Sequence, residues 1–147
     1  MLVIKHNPEL IIFLGLFLLS VFFYFISNHH FKKRIKENLS QKTLRGDSVQ
    51  SYGEKVIADF LFKNKIEYVY DKPVRLSIRQ RTVIRPDFYL PVSDIYIEYW
   101  GMAGNEEYDH KSRWKKNLYN KFKKRLIDLY AHQVKSIPSI LKKELGL

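Results

Sequence analysis

The chain has no cysteine, which removes a disulfide scaffold, a cysteine nucleophile and any thiolate zinc site from consideration. It is also short of acidic residues. Asp and Glu number 15 against 26 Lys and Arg, a formal net charge of +11. Such an excess favours polyanionic partners, either nucleic acid or anionic lipid. There are no internal repeats and no low-complexity stretch, and 46% hydrophobic with 28% charged residues suits a globular domain rather than a disordered chain. A length of 147 residues leaves room for one ordinary domain and an appendage.

Charge is missing altogether from Leu10 to Ile26, where Ser20 and Tyr24 are the polar members. At about 1.5 Å per residue the run spans roughly 25 Å. Being apolar on every side it has no solvent face, so a transmembrane helix over 10–27 is expected. A cleaved leader fits less well, because no small-x-small site follows and Lys5 is the one fixed basic residue ahead of it. Lys32, Lys33, Arg34, Lys36, Lys42 and Arg45 follow against a single Glu37. Positive charge prefers the cytoplasmic side. The expectation is a single-pass protein of the cell membrane, with 1–9 outside, 28–46 as a basic juxtamembrane connector and 47–147 as a cytoplasmic domain.

From Asp47 the pattern is that of an α/β domain. Asp47 or Ser48 is placed to cap a helix carrying Val49, Tyr52, Val56 and Phe60 and ending near Asn64. Short strand patterns follow at Ile66–Tyr70, Val74–Ile78 and Thr82–Arg85, the last leading into Pro86 to Pro91. Ile95–Trp100 is the strongest strand candidate, closed by Gly101 and Gly104. A basic helix is expected from Glu106 to Lys124, then a strand at Leu126–Tyr130 and a short helix from Pro138 to Leu145. His29, His30, His110 and His132 have no metal-ligand spacing and read as surface or connector residues.

Chemistry concentrates on Asp87 and Glu98. A hairpin between their strands brings both carboxylates to one end of the sheet, where oxygen ligands can hold a hard cation. Glu98 stands among aromatic and β-branched residues, where an unpaired carboxylate is costly. Its partner is then a cation, a hydrogen-bond donor or a structural arginine such as Arg85.

Ser51-Tyr52-Gly53-Glu54, then Arg85-Pro86-Asp87-Phe88-Tyr89-Leu90-Pro91, then Ile95-Tyr96-Ile97-Glu98-Tyr99-Trp100-Gly101 together resemble the PD-(D/E)XK nuclease superfamily. More narrowly, they are similar to the nuclease modules attached to some bacterial superfamily-one helicases. The resemblance covers about Asp47 to Tyr130 and implies a restriction-endonuclease-like αβββαβ core with a mixed sheet. It implies Asp87 and Glu98 as metal ligands, most naturally for Mg²⁺ with Mn²⁺ as an alternative, and Glu54 as a third catalytic carboxylate. The other reading of Glu54 is an exposed helix carboxylate paired with Lys55 or Lys63. Where the superfamily has a lysine two residues after the glutamate, this chain has Trp100, on the same strand face as Glu98. A lysine relocated to the following helix is an accepted variation. Lys111 and Lys115 are the candidates, and the choice between them stays open, with Lys115 slightly ahead.

Lys111, Arg113, Lys115 and Lys116 on that helix are candidate nucleic-acid contacts, with Tyr108, Trp114 and Tyr119 as stacking surface. The function implied is a membrane-anchored, metal-dependent nuclease acting on DNA. The alternatives are an inactive module of the same fold that binds nucleic acid or protein, and a membrane-tethered adaptor. A symmetric double-strand cut needs two such domains, so a homodimer or a helicase-like partner is compatible with this reading.

Overall fold

The computed structural model describes residues 8–38, 40–77, 79 and 81–147, with side-chain surroundings in the first helix given for 13–28. The chain forms two compact units, Met1–Leu39 and Ser40–Leu147. The first unit holds helix α1, Pro8–Asn38. Phe13, Phe17, Phe22 and Phe25 on it are all exposed.

Here the expectation of a transmembrane helix over 10–27 is overturned. Among the described residues no helix is long and apolar enough to cross a membrane. The apolar run Leu10–Ile26, roughly 25 Å of helix, is shorter than the roughly 20 residues a span requires. Beyond it α1 runs without a break through Lys32, Lys33, Arg34 and Lys36. The single-pass placement, with 1–9 outside and the C-terminal domain inside, falls with the span. Residues 1–7 lie outside the described residues. The basic segment 28–46 is helix as far as Asn38, and strand β1 (Gln41–Lys42) near its end pairs antiparallel with β2 (Ser48–Val49).

The second unit is mixed α/β. After β2 come α2 (Tyr52–Lys63), β3 (Val69–Tyr70), β4 (Val74–Ser77), β5 (Thr82–Ile84), β6 (Phe88–Leu90) and β7 (Ile95–Trp100). Helix α3 (Glu106–Lys121), β8 (Arg125–Tyr130), a 3₁₀ segment (Ala131–Ser136) and α4 (Ile137–Leu145) complete it. A four-stranded sheet runs β3-β6-β7-β8, and β4 pairs with β5 as a separate hairpin. β3, β6 and β7 pair antiparallel, whereas β7 and β8 are parallel. A parallel pair needs a crossover longer than a turn, and α3 supplies it.

The cap of α2 is Ser51, whose hydroxyl accepts from the Glu54 amide at 3.2 Å, rather than Asp47 or Ser48. Ser48 is taken up by β2, which shifts the helix start and its buried face. That face is Gly53, Glu54, Ile57, Ala58 and Leu61, one position off the expected Tyr52, Val56 and Phe60 stripe. Gly53 is required by a neighbour, since a Cβ there would fall 2.1 Å from the Tyr99 ring. At the other end of the site, Asn105 caps α3 by accepting from the Tyr108 amide at 3.1 Å. Glu106, Glu107 and Asp109 fill that first turn, where negative charge suits the helix dipole.

Strand β7 is buried along its whole length. Its side chains alternate between two cores. Ile95, Ile97 and Tyr99 join Ile57, Leu61 and Leu141 on the side of α2 and α4. Tyr96 joins Leu76, Ile84 and Tyr119 on the side of α3. A fully buried side chain such as Ile97 contributes about 1.5–3 kcal/mol. The same alternation puts Glu98 and Trp100 on the α3 side, and that parity positions the site.

Candidate active site

Asp87 lies one residue before β6, and Glu98 sits in the middle of β7. Phe88 is opposite Ile97, so continuing the antiparallel register one step sets Asp87 beside Glu98. One Asp87 oxygen, Oδ2, accepts from the Tyr99 amide at 2.7 Å. Both carboxylates border a cleft of about 580 Å³, lined as well by Glu54, Tyr108, Lys111, Trp114 and Lys115.

Glu98 is 1% exposed, and each of its oxygens has its own donor. Lys115 Nζ donates to Oε2 and the Tyr119 hydroxyl to Oε1, both at 2.6 Å. Lys115 and Tyr119 are one helical turn apart on α3, so a single helix face grips the carboxylate. Arg85, the structural alternative, instead reaches Asp71 at 3.5 Å and lies away from Glu98's donors. Burial pushes the Glu98 carboxyl above its ordinary range, against the pull of Lys115 and Tyr119. Asp87 goes the same way. Burial first, and then the Glu98 charge, push it up to about 7. Burial and the same two carboxylates push the Tyr108 hydroxyl up to about 12.

Glu54 is buried, not an exposed partner for Lys55 or Lys63. Its carboxylate accepts from the Gln50 amide at 2.9 Å, the Ser51 hydroxyl at 2.9 Å and the Tyr70 hydroxyl. This is a reciprocal cap, with Ser51 and Glu54 satisfying one another across the first turn of α2. Lys55 pairs with Asp59 instead. Glu54 therefore lines the cleft as a carboxylate already held from three sides.

The four basic residues of α3 separate. Lys115 enters the cleft and reaches Glu98. Lys111 lines it too, but its side chain is 72% exposed and paired to Glu107 at 2.6 Å. Lys116 turns to the β8 side, donating to the Tyr130 hydroxyl at 2.6 Å and standing 3.4 Å from Asp128. Arg113 is exposed and outside the cleft lining. Of the three aromatics expected to offer stacking surface, Trp114 is exposed, Tyr108 is half-buried and Tyr119 is fully buried as a donor to Glu98.

Trp100 is 4% exposed and borders the cleft. Its indole N–H donates to Asp128 at 2.6 Å, and Lys116 Nζ lies 5.1 Å from its ring centre. Asp128 was absent from the residues singled out by sequence as site groups, and Tyr119 was expected there only as stacking surface, not as a donor to Glu98. The available signal for Tyr119 was its i+4 spacing from Lys115. For Asp128 there was none, because its role depends on the parallel register that sets it against Glu98.

Among the described residues no three His, Asp or Glu side chains close into a group able to hold a metal. Two carboxylates on one cleft wall, each of whose oxygens has a second lone pair, match an ion that keeps most of its water. No protein-family model matches the chain, and neither does any curated protein or solved structure.

Proposed function

We propose that the cleft is the active site of a metal-dependent nuclease that hydrolyses phosphodiester bonds of DNA. The observation that carries this reading is the convergence of Asp87, Glu98 and Lys115. They come from two adjacent strands and the crossover helix, and the order of groups follows the PD-(D/E)XK resemblance. Asp87 and Glu98 are the residues that would hold Mg²⁺ or Mn²⁺. When bound, such an ion supplies Lewis acidity toward the phosphate and lowers the pKa of water at the site.

The chain's own residues do the rest. Lys115 brings an ammonium group from α3 to the place where Trp100 leaves none on the strand. There it can offset negative charge developing on a phosphate. Tyr119 fixes the orientation of Glu98 from behind, and the Tyr99 amide fixes Asp87. Lys111, at the cleft margin, is free to exchange Glu107 for a phosphate because both side chains are largely exposed.

A second reading, binding without hydrolysis, draws on one observation. Both oxygens of Glu98 are already engaged at 2.6 Å, so a cation must share them with Lys115 and Tyr119.

The test is incubation of the protein with linear, circular and single-stranded DNA with Mg²⁺ or Mn²⁺, beside Asp87→Ala and Glu98→Ala. The nuclease reading expects cleavage that requires the metal and is lost in both variants. No cleavage on any substrate, with DNA binding intact, would establish the binding module instead.

A further inference from the structure

We propose that the mouth of this cleft takes an unpaired base of single-stranded DNA, stacked on the indole of Trp114. The proposal rests on the nuclease reading for the fate of the strand, but the binding it describes stands on separate observations. The chain has two tryptophans, and they are placed in opposite ways. Trp100 is 4% exposed and hydrogen-bonded to Asp128, whereas Trp114 is 57% exposed and lines the cleft. A single exposed apolar side chain is ordinary on a protein surface. This one is adjacent in sequence to the lysine that holds Glu98, one helical turn from Lys111, and on the same cleft as Asp87. Met102, 63% exposed, also lines the cleft.

An open aromatic face flanked by ammonium groups offers what a single strand needs: stacking for a base and positive charge for the neighbouring phosphates. A duplex cannot use the indole in this way, because its base faces are covered by their neighbours and only edges and backbone are displayed. The chain's excess of positive charge favours an acidic strand as the occupant over an apolar peptide. Trp114 is thus assigned as a residue that selects unpaired substrate, with Lys111 as its phosphate contact.

The test uses the full chain in EDTA, so that no cleavage occurs. Anisotropy of a labelled oligothymidylate of about ten nucleotides, within the span such sites cover, is compared with a hairpin duplex and with oligouridylate of equal length. Oligothymidylate should bind about tenfold more tightly than the duplex, and Trp114→Ala should lose about tenfold of that affinity while Trp114→Phe keeps most of it. Oligothymidylate should also quench the native indole fluorescence. Equal affinity for single strand and duplex, no loss in Trp114→Ala, or binding confined to oligouridylate would overturn the proposal. Its failure is separable from that of the nuclease reading. Metal-dependent duplex cleavage indifferent to Trp114 sinks this inference alone. Trp114-dependent strand binding without any cleavage sinks the nuclease reading alone.

Discussion

Two clusters, each of a carboxylate, a lysine and a tyrosine, flank Trp100. On the cleft side stand Glu98, Lys115 and Tyr119; on the β8 side stand Asp128, Lys116 and Tyr130. The carboxylates are direct register partners across β7 and β8, and the lysines are consecutive on α3. Burial separates the two clusters. Glu98 has 1% of its side chain exposed and Asp128 34%. The Lys115–Glu98 contact is 2.6 Å and the Lys116–Asp128 contact 3.4 Å. Removing a carboxylate from water costs more than a stability role repays, since a buried ion pair is at best near neutral against an apolar replacement. The outer cluster is a brace that holds the Trp100 indole. The inner one carries an energetic cost that suits a site of chemistry, and placing Asp87 beside it adds to that cost.

The comparison is broken most sharply through activity. On the proposed nuclease reading, Glu98→Gln should lower metal-dependent cleavage by on the order of a thousandfold, since the chemistry a metal supplies amounts to several kcal/mol. Asp128→Asn should stay within a fewfold of native, as measured by initial rates on a labelled DNA. If both lose activity alike, the two clusters form one unit and the division at Trp100 is wrong.

Stability is the next lever. Lys115→Ala leaves Glu98 buried without its cation and should cost about 3 kcal/mol in urea unfolding. Lys116→Ala breaks a half-exposed contact and should cost less than about 1 kcal/mol. Equal losses would show that burial does not distinguish the pairs.

The last lever is pH. Asp87 is pushed up to about 7 in the folded chain, above the ordinary carboxylate range that it keeps when unfolded. Between that range and pH 7 the folded state therefore holds a proton that the unfolded state has released. By linkage, stability falls as pH rises through this window and levels off above it. Without divalent ions, Asp87→Asn should melt higher than the native chain at pH 8 and close to it near pH 4, by calorimetry. A gain of the same size at both pH values would mean that Asp87 titrates as an ordinary surface acid. Added Mg²⁺ should raise the native melting temperature at pH 8 and leave Asp87→Asn unmoved.

Much of the second unit was legible along the chain. The β-branched and aromatic run Ile95–Trp100 coincides with β7, and the acidic-start, basic-end segment from Glu106 is α3, ending at Lys121 rather than Lys124. Lys123 has φ 52°, in the left-handed region, which stops the helix before the last basic residues. The expected strand at Ile66–Tyr70 shrank to Val69–Tyr70, because Lys65 has φ 57° and Ile66 is tied back to Leu61. The α2 stripe was misjudged by one position because Ser51, not Asp47 or Ser48, starts the helix. The long apolar run at 10–27 was the largest error, since the run is too short for a span and the helix that carries it continues into the basic stretch 32–36.

By itself the sequence determined which residue types could do chemistry and which face of β7 they share. Strand alternation is a local property of the backbone, so Glu98 and Trp100 had to lie on the same side. The tertiary structure alone decided which lysine meets Glu98 and which meets Asp128, and that Tyr119 holds Glu98 from the core behind it. Those assignments depend on how α3 lies across the parallel pair β7 and β8, a packing relation between residues far apart in the chain that no local spacing encodes.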